Sequence, residues 1–130
     1  MTILIGYRGT NVGQDLLTLA EAHANAFKYD VLVVTSMQGG GENDKDRINA
    51  AESNLEKVQA FFADKGIDCR IHLLIRGMEP WEDLVAFARK NKVKEIIIGV
   101  KSRSKVGKML FGSTAQSVIL NAPCPVVTLR

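Results

Sequence analysis

The chain has 130 residues, 46% of them hydrophobic and 6% aromatic, with a formal net charge of +3. That length suits a single domain over 1–130, burying about two thirds of its unfolded surface around an aliphatic core. So mild a positive charge gives no case for a nucleic-acid partner, no apolar run approaches the roughly 18 residues of a membrane span, and Cys69 and Cys124 show neither metal-ligand spacing nor a disulfide framework.

Thr2-Ile3-Leu4-Ile5 follows the first residue directly, with no basic region ahead of a long apolar stretch, so a cytoplasmic location is expected. The two cysteines are expected to be buried free thiols. Residues 3–7, 31–36, 71–75, 95–100 and 126–129 are aliphatic runs without clear alternation, which suits parallel strands covered on both faces. Between them Leu16, Leu17, Ala20, Ala24 and Phe27 recur at helical spacing, followed by Ile48, Ala51, Leu55, Val58 and Phe62. Trp81, Leu84, Val85 and Ala88 form a third such face, and Val118 with Ile119 belongs to a short fourth helix.

Strict alternation of five strands with four helices predicts an α/β fold: an open five-stranded parallel sheet of order 3-2-1-4-5 with helices on both faces. Connections then diverge between strands 1 and 4, and ligands of such sheets sit at the carboxyl ends beside that divergence. Tyr7 and Arg8 end strand 1, while Ile98 and Gly99 end strand 4. All four are candidate contact residues. The segment after strand 2, Gln38-Gly39-Gly40-Gly41-Glu42-Asn43-Asp44, is expected to be a mobile connector or a lid.

Beyond strand 4 come Lys101, Arg103, Lys105 and Lys108, four cations in eight residues without a carboxylate, and then Gly112-Ser113-Thr114 at a fresh helix start. Free backbone N–H groups at the positive end of a helix, next to cations, make a cradle for an anion such as phosphate. Lys101 and Arg103 stand nearest strand 4 and are the cations expected to balance charge. Gly112 leaves room for a phosphate, and Ser113 and Thr114 would donate hydrogen bonds to it. Ser113 also precedes Gln116 by three, the spacing of a capping box, so its hydroxyl has the helix as a second candidate partner. Gly107-Lys108 is not a Walker loop, because Ser102 and Met109 stand where that pattern needs a glycine and a hydroxyl residue. Gly9-Thr10-Asn11-Val12-Gly13 reads as a helix start, with Thr10 or Asn11 as N-cap, rather than as a flavin loop.

Gly99, Ser102, Gly112 and Ser113 occupy the frame Gly-x2-Gly-x9-Gly-Ser/Thr, with Ser102 at the second glycine. In this frame, in Asn121-Ala122-Pro123-Cys124-Pro125-Val126-Val127 and in Gly77-Met78-Glu79-Pro80, the chain resembles the universal stress protein family of small nucleotide-binding proteins. The resemblance implies a Rossmann-like, adenine nucleotide alpha hydrolase-like fold. It also implies a stress-response role and ATP or another adenine nucleotide as ligand, with any Mg2+ carried by the phosphates. By similarity of position, Ser36 would contact the base end. ATP-binding members commonly have an aspartate where this chain has Arg8. A further phosphate contact, stacking on a base and an inward salt bridge are the uses open to that guanidinium. Family habit implies a homodimer through strand 5, at Val126, Val127, Thr128 and Leu129. No Asp, Glu or His falls between 99 and 116, so a designed catalyst is not expected. A ligand-dependent regulatory module is the first reading; a nucleotide-free interaction protein and a slow ATPase are the alternatives.

Overall fold

The computed structural model describes residues 1–8, 13–41, 44–100 and 112–129. Five strands alternate with four helices: β1 (Thr2–Gly6), α1 (Gly13–Phe27), β2 (Asp30–Met37), α2 (Asp44–Ala63), β3 (Cys69–Ile75), α3 (Pro80–Lys90), β4 (Glu95–Gly99), α4 (Ser113–Asn121) and β5 (Val126–Leu129). All four pairings are parallel, as expected from the alternation, and the order is β3-β2-β1-β4-β5, the one expected.

Alternate side chains of the inner strands feed two separate cores, which is why their sequences show no polar alternation. Leu4, Leu32, Val34, Ile96 and Ile98 pack beneath α3 and α4, with Leu84, Val85, Phe87, Ala88, Ala115 and Val118. Ile3, Ile5, Val31, Val33 and Ile97 pack beneath α1 and α2, with Leu16, Leu17, Ala20, Leu55, Val58 and Phe62. The crossovers therefore change face between β1 and β4, and the crevice there opens at the carboxyl ends.

Some local expectations need correction. β3 begins two residues earlier than its aliphatic run, at Cys69, because Arg70 is exposed on an edge strand that has a partner on one side only and so does not read as aliphatic. Phe27 does not join the buried face of α1. It is 57% exposed as the last helical residue, stacked on Tyr29 at 5.4 Å between ring centres where the chain turns through Lys28 at φ 59°. The cysteines are free, as expected, but half-buried, since Cys69 opens an edge strand and Cys124 lies just ahead of β5. Among the described residues, no helix is long and apolar enough to cross a membrane.

Candidate functional site

Each helix follows a strand, so all four helix N-termini meet the rim formed by the strands' carboxyl ends. Three bring their own counter-charge to the helix dipole: Asp15 on α1, Asp44 and Asp46 on α2, Glu82 and Asp83 on α3. The first turn of α4 has no acidic residue. Its N-cap is Gly112, extended at φ −65° and ψ 156°, with no capping side-chain hydrogen bond. The Gln116 amide bonds back to the Gly112 carbonyl at 3.1 Å. Ser113 is consequently the first helical residue, and the capping box that was one candidate use of its hydroxyl does not form, because a box would need the helix to begin one residue later. Its hydroxyl is left on an exposed residue at the rim.

Arg8 joins this helix start to β1. Its Nη2 donates to Thr114 Oγ1 at 3.2 Å, spanning 106 residues of sequence. A hydroxyl, not a carboxylate, is thus the partner the structure gives this guanidinium, and no ion pair of Arg8 occurs among the described residues. Two candidate residues distant in sequence are brought into contact at the mouth of the central strands.

On the other side of the mouth the ladder of β1 and β2 runs on past Gly6 opposite Val34. The Tyr7 amide donates to the Val34 carbonyl at 2.9 Å, and Thr35 Oγ1 donates to the Tyr7 carbonyl at 2.8 Å. Continuing that register sets Ser36 across from Arg8, both on the sheet face that carries α3 and α4. Tyr7 turns the opposite way. Its ring packs over Gly13, where an added Cβ would lie 3.1 Å from the phenol. Ile98 is 4% exposed and lies in the core under α3, so its side chain forms the floor below the rim. Gly99 ends β4 opposite Leu129 and is half-buried. Lys101, Ser102 and Arg103, with Lys105 and Lys108, lie outside the described residues.

Ser36 has company that periodicity did not reveal. Its hydroxyl donates to Asp83 Oδ2 at 2.8 Å, while Arg76 Nε donates to Asp83 Oδ1 at 2.6 Å and Arg76 Nη2 reaches the same oxygen. Asp83 is fully buried, the one buried charged residue among those described. An acid four residues before the core residue Phe87, on the buried stripe of an amphipathic helix, was the signal available in the sequence. Beside this cluster, Gln38 Nε2 donates to Glu79 Oε1 at 3.0 Å. Among the described residues no three His, Cys, Asp or Glu side chains gather to hold a metal ion.

The profile of the universal stress protein family matches residues 1–130. The chain belongs to the universal stress protein family. A universal stress protein of Thermus aquaticus, encoded in a QAH/OAS sulfhydrylase 3′ region, is 30% identical, with 99% of this chain and 98% of that protein aligned. Among solved structures, a universal stress protein from Archaeoglobus fulgidus superposes with a TM-score of 0.89 at 32% identity, covering 99% of this chain and 97% of its own. A universal stress protein from Archaeoglobus fulgidus in complex with dAMP superposes with a TM-score of 0.82 at 29% identity, covering 99% and 96%. The universal stress protein fold is therefore shared over the full length of the chain.

Proposed function

We propose that this chain binds an adenine nucleotide at the carboxyl ends of β1 and β4, with the phosphates toward the start of α4. The α4 N-terminus carries this reading: it has no acid in its first turn, no capping side chain, and Arg8 within hydrogen-bond distance of its second residue. Backbone N–H groups at such an end point outward at the positive pole of the dipole. The complex of an Archaeoglobus fulgidus relative with dAMP adds a nucleotide of the same class in the same fold. Ser113 and Thr114 donate to phosphate in this reading, Arg8 with Lys101 and Arg103 balances its charge, and any Mg2+ rides on the phosphates. Occupancy, rather than turnover, is the signal, acting as a regulatory module of the stress response.

The test is thermal unfolding with ATP, ADP, AMP, cyclic AMP and inorganic phosphate. A ligand at a hundred times its dissociation constant adds about 2.7 kcal/mol of stability. Gly112→Asp separates site from scaffold, because an N-cap aspartate adds a few tenths of a kcal/mol to the helix while placing a negative charge against the phosphates. The expected result is an unliganded variant at least as stable as the parent and without a nucleotide-induced shift. A shift that survives Gly112→Asp overturns the placement; no shift with any ligand favours action through protein contacts alone.

A further inference from the structure

Two features flank the mouth, and they differ in what they offer a guest. On the α4 side stand donors: Arg8 and the first amides of the helix. On the α3 side the Ser36 hydroxyl gives its single proton to Asp83, because a carboxylate bound to Arg76 only accepts. The serine oxygen retains its lone pairs and the residue remains partly exposed, whereas Asp83 is sealed from solvent. Asp83 cannot turn to accept a second partner from the crevice without breaking the contacts with Arg76 that make its burial tolerable. Glu79, beside it at the start of α3, adds a second carboxylate to that side, where the guanidinium of Arg76 is 41% exposed but already committed to Asp83.

We propose that Asp83, held by Arg76, is a positioning residue that fixes the Ser36 hydroxyl as an acceptor. The α3 side of the mouth then selects ligands by a hydrogen-bond donor on their nucleoside part, an exocyclic amine or a sugar hydroxyl. This rests on the nucleotide reading given above, with the phosphates toward α4. A guest that presents an acceptor to Ser36 meets an oxygen with no proton left to give, and the site discriminates against it.

The experiment measures dissociation constants for AMP, IMP, 2′-deoxy-AMP, 3′-deoxy-AMP and inorganic phosphate with the parent chain and with Ser36→Ala, Ser36→Thr and Asp83→Asn. IMP lacks the 6-amino donor, and the two deoxynucleotides lack one sugar hydroxyl each, so the arms tell the two donor sources apart. The parent is expected to hold AMP about tenfold more tightly than at least one of the three analogues. Ser36→Ala abolishes that preference and leaves phosphate affinity unchanged, Ser36→Thr restores it, and Asp83→Asn weakens it although Ser36 is intact, since an amide can donate to the serine and release its proton. A loss of packing alone would not move a ratio of affinities. A parent without preference, or a preference untouched by Ser36→Ala, overturns this inference while the nucleotide reading stands. Failure of every nucleotide to bind overturns both.

Discussion

Cys69 is half-buried where β3 begins, and burial pushes its thiol up to about 11. The nucleophile is the thiolate, so with the pKa about two units above the ordinary value of 9.0, alkylation near pH 8 should run about a hundredfold slower than that of an unhindered peptide thiol. Iodoacetamide labelling of Cys124→Ser, followed by mass, checks this; labelling at the peptide rate would refute it. The same shift ties stability to pH. A folded pKa raised above the unfolded one means that the contribution is complete below pH 9 and is lost as the pH rises through 11. The melting temperature of the parent should therefore fall more steeply over that interval than that of Cys69→Ser. Cys124 moves in the same direction, through burial first and the nearby Glu95 second.

At the scale of elements, the connector from β2 to α2 depends on backbone geometry. Gly39 and Gly40 both sit at φ 83°, and the Gly40 amide donates to Asp44 Oδ2 at 2.5 Å, closing the turn onto the helix start. A Cβ at Gly39 would lie 2.9 Å from Ile75 Cγ2, whereas one at Gly40 meets nothing within 4 Å. Gly40→Ala should cost about 1–2 kcal/mol for the left-handed backbone alone, and Gly39→Ala more. Urea unfolding of the two variants decides, and the reverse order would refute it. The same contrast bears on what the sequence made legible. The aliphatic runs marked all five strands, because burial on both faces leaves a direct imprint on composition, whereas alternation with helices called for a parallel sheet and allowed more than one strand order, of which the one expected is the one formed. Topology put Arg8 and the start of α4 on one rim as separate candidates, but their contact was not legible, since it depends on which of the four helix starts the guanidinium reaches. Ser36 with Asp83 was not legible: the pair is 47 residues apart and depends on how α3 settles on the sheet. The sequence leaves the N-cap of α4 open between two uses of Ser113, because Gly112 and Ser113 are both good N-cap types and only the hydrogen bond from Gln116 decides between them.

For the whole molecule, the two cores set how stability divides. Phe62 is fully buried in the core under α1 and α2, and Phe62→Ala should cost about 3–5 kcal/mol by denaturant unfolding; a loss under 1 kcal/mol would show that this layer collapses around the gap. On the opposite margin β5 is an edge strand, and near it α4 exposes Leu120 at 82% and Ile119 at 43%. An open edge of this kind invites pairing with a second copy. Sedimentation at micromolar concentration should give a dimer, and Thr128→Pro, which removes a backbone donor from that border, should shift the equilibrium toward monomer. The uneven placement of acids among the four helix starts has a kinetic consequence. A dianion diffusing toward the rim meets helix dipoles balanced by acids in three sectors and one left unbalanced, so the field favours the corner beside Arg8. Capture should slow as salt is added while escape hardly changes, and the speed with which such a protein senses its ligand would then follow the ionic strength around it.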